Sequence, residues 1–111
     1  MANEKFNKCA NRCYYACFHA AIAAMLAVDI DARSARGHYR HQTVHALFIE
    51  QLINRRRRYP PVIRSVLSET MLLRQSADYE TTGMSAKQAT RSLGRTSEFV
   101  EAIRLVEERS S

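Results

Sequence analysis

Apolar residues early in the chain recur at helical spacing along two neighbouring stripes. Phe6, Cys9, Cys13, Cys17, Ala20 and Ala24 mark one, and Tyr14, Phe18, Ala21 and Met25 mark the other. Spacings of three and four residues place each set on one side of an α-helix, so the pattern predicts a helix from about Phe6 to Ala27. An apolar girth this wide requires contacts on more than one side, as expected of a central helix. Residues 29–41 are polar and read as a connection, with Gly37 free to take unusual dihedrals.

A second periodic segment spans about Gln42 to Arg57, with Val44, Leu47, Phe48 and Ile53 on one side and Gln51 and Asn54 on another. It stops at the arginine run and Tyr59, because Pro60 disfavours helical geometry in the residue before it. Pro61 suits the first position of a third helix, where its missing N–H costs nothing. Ile63, Val66, Leu67, Thr70, Leu73 and Ala77 supply the buried stripe of that helix, which should reach about Tyr79. Thr81, Thr82 and Gly83 read as a turn. Ser85 and Gln88 then have the spacing of a capping box for a last helix. That helix directs Ala89, Leu93, Phe99, Ile103 and Val106 inward and ends near Arg109, its middle softened by Gly94, Thr96 and Ser97.

Four helices with short links predict an all-α fold, an antiparallel four-helix bundle, and 111 residues fit one domain, 1–111. The chain enters its most apolar helix within about eight residues, so little precedes it to cover the outer side. A homodimer is the economical cover, since an exposed apolar face of that size is a liability. Composition agrees with the helical reading: there are three glycines and two prolines, and helix formers dominate. No apolar run is long enough to cross a membrane, and the N-terminus lacks the layout of a secretory signal. A soluble, cytoplasmic protein without membrane association is the expectation.

Charge changes the picture more than composition does. Seventeen Lys and Arg against eleven Asp and Glu give a net +6, a bias toward polyanions and RNA above all. The densest point is Arg55, Arg56, Arg57 and Arg58, a candidate RNA-binding run that reads equally as a solvated helix end. Cys9, Cys13 and Cys17 recur every four residues, a spacing unsuited to disulfides, and read as small packing residues at a close helix contact.

Three constellations carry candidate chemistry. Arg12 and His19 lie seven positions apart and leave the first helix from nearly the same face, a cation and an imidazole suited to a phosphodiester. His19 also reads as a packed, hydrogen-bonded core residue. Arg74 and Asp78 stand at one-turn spacing, either as a pair holding the third helix against Tyr14 or Tyr15, or as a phosphate site completed by the phenol of Tyr79. His41 and His45 share one-turn spacing, but no third ligand accompanies them. His41 is expected to pin the start of the second helix and His45 to face solvent or a partner. No metal or cofactor is called for.

The run Asn11-Arg12-Cys13-Tyr14-Tyr15-Ala16-Cys17-Phe18-His19-Ala20-Ala21 resembles the signature of HEPN-domain proteins, in their UPF0332-like branch. His41-Gln42-Thr43-Val44-His45-Ala46-Leu47-Phe48, Arg74-Gln75-Ser76-Ala77-Asp78-Tyr79 and Phe99-Val100-Glu101-Ala102-Ile103 resemble further segments of that branch in the same order. The similarity covers about residues 8 to 106.

The resemblance implies a helical bundle that usually dimerises. Many members of the family are ribonucleases, and some pair as toxins with a nucleotidyltransferase that silences them by modifying a tyrosine, for which Tyr79 is the candidate. The family's catalytic motif is an arginine, four to six residues and a histidine, generally on a late helix. Here the late helix has Arg74, Asp78 and Tyr79, while the formal spacing is met by Arg12 and His19 on the early one. The branch is commonly preceded by a helix that this chain largely lacks. Two readings follow: a metal-independent ribonuclease or toxin-like component using Arg12, His19, Arg74, Asp78 and Tyr79, or a non-catalytic helical partner of a nucleotidyltransferase, a nucleotide or RNA.

Overall fold

A computed structural model describes the backbone of residues 2–79 and 86–110 and the side chains of residues 8–75 and 87–109. Helix α1 runs Ala2–Leu26, α2 spans His41–Leu47, α3 Val66–Tyr79 and α4 Ala86–Ser110. The protein is an all-α bundle in which α1 touches each of the other three helices. Its two apolar stripes explain this position. Tyr14, Cys17, Phe18, Ala21, Ala24 and Met25 are all buried, and the small residues among them let neighbouring helices approach closely.

Helix α1 ends without a glycine. Asp29 takes the left-handed conformation at φ 62, and the N–H of Ile30 reaches back to the carbonyl of Met25 at 2.8 Å. This closes the last turn as glycine would, and Asp tolerates that region better than most residues. The following connection folds over itself, with Arg33 and Tyr39 forming an isolated bridge and Gly37 at φ 80 making the reversal.

The second segment departs from the regular α-helix predicted over Gln42 to Arg57. After Leu47 it widens into π-helical winding over Phe48–Arg55. The reason lies in its apolar residues. On an α-helix, five residues turn about 140° past a full circle, so Phe48 and Ile53 would face different neighbours. The wider i→i+5 winding advances less per residue and brings Phe48, Leu52 and Ile53 to the interior together. The turn closes through Arg56 N–H to Gln51 O and Arg58 N–H to Leu52 O, with Arg57 at φ 48 between them. A non-glycine residue held there costs about 1–2 kcal/mol.

Pro61 begins a short 3₁₀ turn, Pro61–Ile63, rather than α3 itself, which starts at Val66. Tyr59, just before the prolines, is buried against Phe48, whose ring also meets Phe99 at 5.2 Å. The Tyr59 hydroxyl donates to Glu107 at 2.7 Å, and Arg58 pairs with the same carboxylate at 3.0 Å. Glu107 thereby ties the arginine turn to α4. Thr70, buried in α3, donates its hydroxyl to the carbonyl of Val66, so its burial leaves no donor unpaired.

On α4, Ala89, Phe99 and Ile103 are buried as expected, but Leu93 is 53% exposed. The inward position beside it belongs to Ser92, and further along the same face Ala89 meets Ala10 of α1. Leu73 of α3 packs on that contact from the side, and Leu93 is left on the outer face of α4. Gly83, Ser85 and the side chains of Ala77, Asp78 and Tyr79 lie outside the described residues. Phe99→Ala is expected to lower stability by about 3–5 kcal/mol, whereas Leu93→Ala should change it by no more than about 0.5 kcal/mol, both read from denaturant unfolding.

Candidate functional site

Asn11, Tyr14, Tyr15, Phe18 and His19 share one side of α1, three and four residues apart. Against this side stand the first turn of α2, carrying His41 and His45, and the later half of α3, carrying Arg74. The Tyr14 hydroxyl sits between the two histidines, 2.5 Å from His41 Nδ1 and 2.8 Å from His45 Nε2. One-turn spacing on α2 aims both rings at the same point. A phenol has one proton, so it donates to one imidazole and accepts an N–H from the other. The three groups form a linked donor–acceptor chain with both histidines neutral.

Electrostatics favour that state. Burial lowers the pKa of His41, and the nearby Arg74 cation lowers it further. Burial likewise lowers His45, with His41 adding to the effect. Burial raises the Tyr14 phenol well above its ordinary value, reinforced by Tyr15 and only partly opposed by Arg74. Tyr14 therefore remains a phenol at any physiological pH.

Arg74 completes the cluster. Its Nε donates to Asn11 Oδ1 at 2.9 Å, and the guanidinium lies over the Tyr15 ring at 5.1 Å and the Tyr14 ring at 5.7 Å. A planar cation on two aromatic faces is held in orientation by cation–π attraction as well as by the hydrogen bond. Asparagine fixes the fork without cancelling its charge. The Tyr15 ring also meets His19 at 6.0 Å and His41 at 6.3 Å between centroids, so a cation and two imidazoles surround one half-buried aromatic.

The expected residues divide accordingly. Arg74 lies against both tyrosines. His19 is exposed on the rim, not a hydrogen-bonded core residue, because the inward positions of its turn are taken by Cys17 and Phe18. Arg12 is exposed on the same helix, about 10 Å of rise away from His19. His45, expected to face solvent or a partner, is instead half-buried and bonded to Tyr14. The side chains of Asp78 and Tyr79 lie outside the described residues. Arg55, Arg56 and Arg57 are exposed, while Arg58 turns inward to Glu107. Asn11 and Tyr14 were not singled out as site residues. The signal for Tyr14 was the His41–His45 pair, whose rings converge on the buried phenol. Among the described residues no three His, Cys, Asp or Glu side chains cluster as metal ligands.

The HEPN domain family matches residues 1–106. The chain belongs to the HEPN family. Comparison with curated proteins and with solved structures gave no match. In this HEPN domain, among the described residues, no helix is long and apolar enough to cross a membrane.

The Tyr14 cluster makes stability depend on pH. Because folding lowers both histidine pKa values, the unfolded chain takes up protons near pH 6.5 that the folded chain refuses. Stability is therefore complete above about pH 6.5 and declines as pH falls toward the lowered values. Glu69, held by Arg95, has its pKa lowered from the usual carboxylate value and loses charge only at more acidic pH. The melting temperature should be flat from pH 8 to 7 and fall between about pH 6.5 and 5, a fall that His45→Gln reduces. Tyr14→Phe strands a ring nitrogen on each histidine and should cost about 1–3 kcal/mol in denaturant unfolding.

Proposed function

We propose that this HEPN protein, a member of the UPF0332-like branch, is a non-catalytic RNA-binding partner. Arg74 holds a backbone phosphate, and Tyr15 and His19 offer rings to the adjoining base. The observation that carries this reading is the Arg74 fork, steered by Asn11 and the two tyrosine rings toward the rim where His19 and Arg12 are exposed. Its Nη2 has no hydrogen bond among the described residues, so the fork retains donors for a phosphate oxygen. The net charge of +6 supplies long-range attraction to a polyanion. Arg12 adds charge along the same helix. The partner reading extends to a homodimer through the exposed side of α1 and to a nucleotidyltransferase acting on Tyr79.

Metal-independent cleavage is the second reading, favoured by His19 and His41 both lying near Tyr15, which also carries Arg74 over its ring. It uses one imidazole as base, the other as acid, and Arg74 to stabilise the phosphorane charge. Against it stands the engagement of His41 Nδ1 with Tyr14, which commits that ring to a structural bond.

Fluorescence anisotropy with labelled single-stranded RNA tests the binding reading. Arg74→Ala should weaken binding about tenfold and reduce the salt slope by about one, and Arg74→Lys should not restore it, because an ammonium cannot reproduce the fork. Unchanged affinity in Arg74→Ala sinks the reading. Incubating the same RNA with chelator separates the two: cleavage products that vanish in His19→Ala and His41→Gln establish the ribonuclease, and intact, bound RNA excludes it.

A further inference from the structure

Cys9 and Cys13 of α1 lie one turn apart, and their sulfurs stand 4.0 Å from each other. A disulfide requires about 2.05 Å between sulfurs and about 3.5–4.5 Å between Cβ atoms. Residues four apart on a helix hold their Cβ atoms about 5–6 Å apart, so the backbone resists closing this pair. The same spacing leaves room for one atom between the sulfurs. Bonds from a thiophilic ion to thiolate are about 2.3 Å long, so two span about 3.8 Å at a tetrahedral angle and about 4.6 Å in a line. The observed separation falls inside that range, and α1 need not move. The surroundings select among ions. Cys9 and Leu73 pack around the contact of Ala10 with Ala89, side chains that offer sulfur and hydrocarbon and no oxygen donor. Magnesium and calcium take about six or more oxygen ligands, and structural zinc takes about four ligands. A soft, singly charged ion is satisfied by two thiolates.

We propose that Cys9 and Cys13 form a two-sulfur site for copper(I), the soft monovalent cation that thiolates select. Both thiols release their protons to solvent and each sulfur donates a lone pair to the ion. Copper stays monovalent, no electron is transferred, and the product is a bis-thiolate carrying one negative charge. The exposed Arg12 lies close enough to offset that charge. Burial raises the Cys9 pKa, Cys13 adds to the effect and Arg12 opposes it, so Cys9 remains a thiol at neutral pH until an ion displaces its proton. Cys13 is 3% exposed and Cys9 half-buried, which opens the pair to solvent from the Cys9 side. Cys17, one turn further on, is fully buried in the main core and takes no part. Neither ligand is among the residues assigned to RNA, so this site stands or falls apart from that reading.

Anaerobic titration of the reduced full chain with copper(I), against a chromophoric copper(I) chelator, tests the proposal. One ion per chain should bind with release of two protons, so affinity should fall about hundredfold for each pH unit below neutrality. Bound copper should also shield Cys9 from iodoacetamide, read by peptide mass spectrometry. Cys9→Ser should weaken binding by at least about a hundredfold, beyond what loss of a merely supporting neighbour costs. Cys17→Ala should leave binding unchanged, and circular dichroism melts establish that both variants are folded. Retained copper binding in folded Cys9→Ser, no copper binding by the reduced chain, or zinc(II) binding as tight as copper(I) overturns the site. So does a Cys9–Cys13 disulfide formed by a mild oxidant in the folded chain, because a helix that lets the sulfurs bond does not hold a gap for an ion.

Discussion

The hydroxyl of Tyr14 lies in the interior of the bundle and must be satisfied there, since a buried polar group without a partner costs about 1–3 kcal/mol. That requirement reaches well beyond one hydrogen bond. Both partners come from α2, one turn apart, so satisfying the phenol fixes the register of α2 along α1. His41 then packs tilted against Phe18 at 4.7 Å between centroids, while Arg74 lies over the Tyr14 ring. A helix of seven regular residues has little cohesion of its own. Its placement derives from this polar anchor at one end and from Phe48, Leu52 and Ile53 at the other.

The two anchors explain why α2 cannot remain a regular helix. Aligning His41 and His45 with Tyr14 sets the helix rotation at its start. Regular winding from there would carry Ile53 away from the core that Phe48 and Leu52 enter. Widening the last turns resolves the conflict, and Arg57 in the left-handed region returns the chain toward Tyr59. Tyr59 in turn stacks on Phe48 and donates to Glu107, its own phenol pKa pushed up to about 12 by burial and the neighbouring carboxylate. The shape of the arginine turn is thus a consequence of packing that begins at Tyr14.

The architecture was legible because it rests on spacing. Two stripes on α1, a proline pair before α3 and a long amphipathic α4 each report a period that survives folding. What was not legible depended on size and on partners instead of period. Leu93 is as apolar as any core residue, yet Ala89 and Ser92 take the inner positions of α4, Ala89 against Ala10 of α1. The π-helical turns have no local composition that distinguishes them, because they reconcile two distant contacts. The histidines were visible as a pair, but their target is a tyrosine 27 and 31 residues earlier. Arg74 was legible as a residue that meets Tyr14 or Tyr15, whereas its Asn11 partner, 63 positions away, was not.

The arginines show how the same side chain is held by two kinds of partner. Arg58, Arg95 and Arg104 are bound to carboxylates of Glu107, Glu69 and Glu101, and so fasten helices or decorate them without leaving net charge. Arg74 and Arg64 are held instead by the amides of Asn11 and Asn54. An amide oxygen accepts a hydrogen bond and orders the guanidinium, but it carries no formal charge to offset it. Ordering a cation while keeping its charge reduces the rotamer entropy that a ligand must otherwise overcome on binding. Burying an ion pair does the opposite, spending the charge on the fold. The excess of positive charge is therefore less informative than its distribution. Two arginines so placed, in different parts of the bundle, are ordered by neutral amides, whereas those paired with carboxylates are ordered at the expense of their charge.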